Sequence, residues 1–205
     1  MDKILQNNEI LSIIKALGIG MQGLNDVNGT SNGNGDDEDS EEAEPEFNLS
    51  KLRYHKTIIM CDADIDGFHI ETLLLTFFFR YMRALIDGGF LYIAVPPLYK
   101  VSYRKSKKYV FSDSEKDTFM QELITKHKLK DSSSIKVQRY KGLGEMNPEE
   151  LYDTTMNKET RTLKKVTYDD YIENDLIFTK LMGKEVQSRK KYIFANFDEV
   201  NVLDV

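Results

Sequence analysis

One cysteine in 205 residues, Cys61, leaves no internal disulfide to form, which points to a reducing compartment. Tryptophan is absent. A membrane span needs about 20 residues almost free of charge. The most apolar run, Ile70 to Ile86, carries Glu71, Arg80 and Arg83, so it reads as a buried helix of a soluble fold. No charged-then-apolar leader opens the chain, and no signal peptide is expected. Basic residues are also missing over one long interval. Between Lys15 and Lys51 there is no Lys or Arg, but there are nine acids: Asp26, Asp36, Asp37, Glu38, Asp39, Glu41, Glu42, Glu44 and Glu46.

That interval explains the charge of the whole. The chain has 28 basic and 34 acidic side chains, a net charge of −6 and a pI near 5.2, which argues against a nucleic-acid partner. Once the nine acids are set aside, 28 basic residues face 25 acidic ones. The remainder is mildly basic, and the objection falls. With 40% apolar and 11% aromatic residues, wholesale disorder is excluded and the length suffices for one large or two small domains.

The chain divides by pattern. Ile4, Leu5, Ile10, Leu11, Ile14 and Leu17 lie near one helical face over residues 3–17, and Gly18 and Gly20 stop the helix. Residues 25–46, Asn/Gly-rich and then acidic, have nothing to bury and read as a disordered insertion. Thr57 to Cys61 reads as a strand buried on both faces, Asp62 to Gly67 as a polar turn, and His69 to Asp87 as a long helix. Phe90 to Val95 is a second buried strand, so the unit is βαβ with parallel strands. Leu98 to Phe111 reads as a strand pair carrying Lys100, Arg104, Lys105, Lys107 and Lys108. This basic hairpin either tracks a DNA backbone or is simply solvated. A helix over 114–129 with Ser114 as N-cap and a strand over 134–140 follow. Then come the loop Lys141 to Met146 and a helix start at Asn147-Pro-Glu-Glu150. The stretch Tyr168 to Phe194 reads as helical.

The strongest chemical signal is Asp62-Ala-Asp64-Ile-Asp66-Gly67. Three carboxylates at alternate positions share a direction if the backbone stays extended, and such crowding calls for a cation or raised pKa values. Oxygen-only ligands select Mg2+ or Ca2+. An EF-hand loop beginning at Asp62 would require Glu at its twelfth position, where Leu73 stands, and a helix before it, so that reading fails. The alternative sets the carboxylates at the carboxyl end of a parallel strand, where open α/β sheets bind ligands. A solvated acidic turn accounts for one aspartate but not three.

These residues and their surroundings are also recognisable. Tyr54-His-Lys-Thr-Ile-Ile-Met-Cys-Asp-Ala-Asp-Ile-Asp-Gly-Phe-His69, Thr72-Leu-Leu-Leu-Thr-Phe-Phe78, Pro96-Pro-Leu-Tyr-Lys100 and Gln138-Arg-Tyr-Lys-Gly-Leu-Gly-Glu-Met146 resemble the Toprim domain of bacterial-type type IIA topoisomerases. Thr179-Lys-Leu-Met-Gly183 with Arg189 resembles the gyrase branch more than the topoisomerase IV branch. The resemblance implies an α/β fold: a Rossmann-like parallel sheet flanked by helices, with a helical C-terminal tail region. The corresponding division is an N-terminal Toprim helix (1–24), the insertion (25–46), the Toprim domain proper (47–147) and the tail (148–205).

By the same resemblance, Asp62 and Asp64 hold Mg2+, for which Mn2+ or Ca2+ substitute in binding, and Asp66 supports the site. All three count as catalytic residues. The implied activity is DNA cleavage and religation coupled to ATP-dependent negative supercoiling. Its partners are DNA and an A subunit, in a heterotetramer of two subunits of each kind, with no membrane. The attacking tyrosine belongs to that A subunit, so none of the eleven tyrosines here takes the role. Lys141 is assigned to DNA phosphate, with Gly142 and Gly144 allowing close approach. Arg139 and His69 are further DNA-binding candidates. A turn lysine and a structural helix-start histidine are the plain readings of Lys141 and His69.

The family's Glu-Gly-Asp-Ser-Ala motif is missing from the chain, as are the ATPase and transducer regions. The chain therefore reads as a fragment, inactive by itself, with weak metal affinity and ATP acting only through the absent N-terminal domain. A cytoplasmic, nucleoid-associated bacterial location follows, with a plastid-type organelle as the alternative. A rival function is a non-catalytic docking module for the A subunit and DNA, and a topoisomerase IV B-type fragment acting in decatenation is a third reading. Arg80 is expected to form a structural salt bridge, and Cys61 to be a small core residue.

Overall fold

The computed structural model describes residues 6–18 and 49–199; the acidic insertion 25–46 lies outside them. Helix α1 (Asn8–Leu17) begins at Asn7, whose side chain accepts from Ile10 N at 3.0 Å. It ends at Gly18, where φ of +75° favours a residue without Cβ. Its apolar stripe buries Ile14 and Leu17.

Strand β1 (Thr57–Ile59) pairs in parallel with β2 (Leu91–Ala94), Thr57 opposite Leu91 and Ile59 opposite Ile93. Between them the chain crosses over through α2 (Ile65–Tyr81) and α3 (Arg83–Asp87). The helix therefore starts four residues before the expected His69 and breaks at Met82. Asp64 causes the early start: its Oδ1 accepts from Gly67 N at 2.7 Å and caps the helix. Phe77, Phe78, Phe79, Met82, Leu85 and Leu91 form the centre of a first core, which α1 closes.

A second module follows Pro97. Strands β3 (Tyr99–Tyr103), β4 (Ser106–Val110) and β5 (Lys136–Arg139) form an antiparallel sheet in the order β4-β3-β5, with helix α4 (Asp113–His127) between β4 and β5 in sequence. Tyr99, Val101, Tyr103, Val110, Leu123 and Ile135 form its own core. Ser112, not Ser114, caps α4, accepting from Glu115 N at 3.1 Å. The Glu115 carboxylate reaches back to Phe111 N at 2.8 Å and fixes that choice.

Asn147 caps the short α5 (Pro148–Leu151) in a reciprocal capping box with Glu150. The chain widens into one π turn (Tyr152–Met156), closed by Asn157 N to Tyr152 O at 2.8 Å. Strand β6 (Leu163–Lys165) then joins β2 antiparallel. The first sheet is therefore mixed, β1-β2-β6, with one parallel pair. The α/β class holds, but the expected purely parallel sheet does not: β6, three residues long and only partly apolar, carries no readable strand pattern. Helices α6 (Tyr171–Met182) and α7 (Val186–Ala195) complete the described chain, followed by a short 3-10 turn (Phe197–Glu199). Phe79 of α2 meets Tyr171 and Phe178 with ring centroids 5.1 and 4.9 Å apart. Arg80 donates to Thr179 Oγ1 at 2.9 Å and lies 3.8 Å from Asp175. It is thus a structural tie, but one made at the surface.

Candidate metal centre and its supporting loop

Strand β1 ends just before Cys61 and delivers Asp62 to the surface beside the start of α2. Asp62 Oδ1 accepts from Leu143 N at 2.8 Å, across 81 residues of sequence. Gly142 sits directly against the same carboxyl group: a Cβ there would lie 2.9 Å from Asp62 Cγ. Gly67 is equally constrained, because a Cβ would come within 2.0 Å of Asp62 O. The two glycines let the loop and the first turn of α2 close on Asp62 from either side. Gly144 has open space around its Cβ position, so within the chain the close packing against Asp62 is made by Gly142.

The three aspartates differ in situation. Asp62 is exposed and offers a carboxylate with one oxygen held. Asp64 is half-buried and spends Oδ1 on the helix cap. Asp66 is exposed in the first helical turn. The extended backbone that would align all three ends at Asp64, because α2 begins at Ile65. Among the described residues no three carboxylate, histidine or cysteine side chains converge as a ready metal cage. The donor chemistry still fits a hard cation. Mg2+ needs only one or two carboxylates and keeps several waters, and Asp62 with Asp64 supplies that number.

His69 is exposed one turn into α2, and Lys141 is exposed at the head of the loop, its N–H donating to Glu145 Oε2 at 2.8 Å. His69 follows Asp62 by seven residues in the chain, and Lys141 immediately precedes Gly142, which sits against the Asp62 carboxyl. Arg139 is exposed at the end of β5, opposite Tyr99, and helps hold the Asp113 carboxyl of α4 below its usual range, after Lys116 and Tyr99. Its neighbourhood is therefore the second module, not Asp62. Burial pushes the Cys61 thiol up, with Glu71 and Asp62 adding to it, so the thiol is not activated.

Two further groups have surroundings that the sequence does not reveal. Glu71, half-buried on α2, has its carboxyl raised by burial, with Lys164 of β6 pulling the other way. Its one signal in the sequence is an acid inside an apolar helix. The other group is Glu150, which is 5% exposed and accepts from Lys100 Nζ. Burial opposes its ionisation. The Lys100 ammonium and Asn147 N–H outweigh that and leave the carboxyl below its ordinary value.

Residues 6–96 match the Toprim domain model, and residues 132–194 match the model described as DNA gyrase B subunit, carboxyl terminus. The chain is 48% identical to the DNA gyrase B subunit of Spiroplasma citri over 99% of its own length. It is 47% identical to that of Halalkalibacterium halodurans over 100%, and 45% identical to that of Thermus thermophilus over 98%. It spans 28% of the length of each of these relatives.

Proposed function

The chain belongs to the DNA gyrase B family, joining a Toprim domain to the gyrase B carboxyl-terminal region, and on that premise we propose that it is the metal-binding part of a type IIA DNA topoisomerase. Asp62 and Asp64 hold Mg2+, with Asp66 beside them at the head of α2. When bound, the cation would supply Lewis-acid stabilisation of charge on the scissile phosphate and the departing 3′-oxygen. The chain's own residues do the positioning. Leu143 N–H orients the Asp62 carboxylate, the Asp64 cap fixes α2 against it, and Lys141 and His69 stand at the rim to meet DNA phosphate. The attacking tyrosine comes from the gyrase A subunit, in an assembly of two A and two B subunits whose ATP-dependent cycle introduces negative supercoils. The setting is bacterial cytoplasm, with the DNA. No helix among the described residues is long and apolar enough to cross a membrane.

The observation that carries this reading is the clamped but accessible Asp62 carboxylate at the end of a parallel strand, next to Asp64. In the assembled enzyme, Asp62→Ala and Asp64→Ala should each abolish Mg2+-dependent DNA cleavage while the circular dichroism spectrum stays unchanged. Cleavage at the wild-type rate by the double variant overturns the assignment. A second reading, a docking module with idle carboxylates, is favoured by the lack of a three-ligand cluster among the described residues. It requires normal association with the A subunit and no Mn2+ binding at millimolar concentration.

A further inference from the structure

We propose that the Lys100–Glu150 ion pair is a positioning device for Asp62, fixing the C-terminal end of the loop that clamps it. The proposal concerns the site read above as a metal centre, but its geometry is independent of any ion. The loop 141–146 is internally braced: Lys141 N donates to Glu145 Oε2 at 2.8 Å, Glu145 N to Gly142 O at 3.2 Å, and Met146 N to Leu143 O at 3.1 Å. It therefore moves as a unit, and its placement depends on its two ends. Of the residues just outside the ends, Tyr140 is tied to the start of β3 and Asn147 is tied to Glu150. Glu150 Oε2 accepts from Asn147 N at 3.2 Å, and Glu150 N donates to Asn147 Oδ1 at 2.9 Å. On the other side, Tyr140 is buried and its N–H donates to Leu98 O at 2.9 Å, two residues before Lys100 on the same strand run.

Glu150 is held in turn by Lys100, whose ammonium donates to Oε1. Lys100 lies on β3 of the second module, so the clamp has its anchor outside the first core. A buried carboxylate without a partner is strongly unfavourable; losing Lys100 should free Glu150 to seek water and carry Asn147 with it. The chain of contacts then ends at Leu143 N and Asp62 Oδ1, 2.8 Å apart. The neck of the module, where Tyr140 N donates to Leu98 O at 2.9 Å, is the same place at which Lys100 enters. Any displacement of the module is thereby passed to Asp62.

Amide hydrogen exchange on the full chain, read at Leu143 by NMR without metal, tests this. Lys100→Met and Glu150→Gln should each speed Leu143 exchange by about tenfold, while Ile58 and Ile59 of β1 keep wild-type protection. Lys100→Arg should restore slow exchange. Lys107→Met breaks a second ion pair, to Asp153 at 3.4 Å, between the same module and the π turn, and should leave Leu143 unchanged. Wild-type exchange at Leu143 in folded Lys100→Met overturns the proposal, and so does equal acceleration by Lys107→Met, which would make the pair ordinary glue. If Glu150→Gln does not fold, Lys100→Met and Lys100→Arg decide. A parallel Mn2+ titration should show several-fold weaker binding in Lys100→Met. Absence of Mn2+ binding in the wild type would sink the metal reading and leave the positioning claim to the Leu143 exchange result.

Discussion

The first module joins strands from distant parts of the chain, with Thr57 opposite Leu91 and Tyr92 opposite Lys165. The second combines a tight hairpin, Tyr103 opposite Ser106, with a pairing across an intervening helix, Tyr99 opposite Arg139. Their charges differ as well. Residues 98–140 contain eleven Lys and Arg against five Asp and Glu, a surplus of six positive charges within a chain of net −6. The first module holds its aspartates at a strand end, while the second spreads lysines over an exposed hairpin. The difference teaches where specificity is built. The first module puts Asp62 and Asp64 at the point where the chain leaves β1 for the crossover helix. The second module builds its own sheet and core and is tied to that place by the hydrogen bond from Tyr140 to Leu98 at its neck and by the ion pairs from Lys100 to Glu150 and from Lys107 to Asp153.

Truncation in either core should separate the two most sharply. Phe78 is 2% exposed at the heart of the first core, and Phe78→Ala should cost about 3–5 kcal/mol in urea unfolding. Val101 and Val110 amides of the second module should keep their exchange protection when it does. Equal loss at all sites would merge the cores into one cooperative unit.

Next come the glycines around Asp62. Gly67→Ala must displace the Asp62 backbone and should cost about 1–3 kcal/mol. Gly144→Ala, with open space at that point, should stay within about 0.5 kcal/mol of wild type. A smaller effect is expected from the helix cap. Asp64→Ala removes the acceptor for Gly67 N and should cost about 1 kcal/mol, measurable as a shifted urea midpoint.

The smallest effect lies in acid. Because the folded Glu150 carboxyl is depressed, its contribution is full above the unfolded value, about 4.3. It is lost as pH falls through the lower folded value. Burial opposes the shift, so the loss should be modest. Glu150→Gln should flatten the stability profile over that interval, and an unflattened profile would show that other carboxylates set the acid limb.

Much of the fold is readable from spacing. The βαβ unit, the Asn147 cap, the Gly18 stop and the basic hairpin follow from local pattern, because caps, turns and alternation are decided within a few residues. Pattern misplaces the start of α2 because Asp64 serves the helix as cap, and a carboxylate that suits a metal suits an N-cap equally well. Ser112 takes the cap of α4 from Ser114 because Glu115 bonds back to Phe111, a reciprocity that two nearby serines do not reveal. Strand β6 escapes a reading by pattern because Leu163-Lys-Lys165 has too few apolar residues to announce a strand; it is one only because β2 offers an open edge.

For the candidate site, the sequence by itself determined the inventory: three aspartates after a buried strand, a glycine loop with a lysine, and a charge balance that admits DNA. Tertiary structure alone decided the arrangement. It brought Leu143 to Asp62 across 81 residues, set Gly142 against the Asp62 carboxyl, and buried Glu150 beneath Lys100. The physical reason is range. Propensity and periodicity act along a few turns of chain, whereas the contacts that orient a carboxylate are made between segments that meet only when two cores have packed.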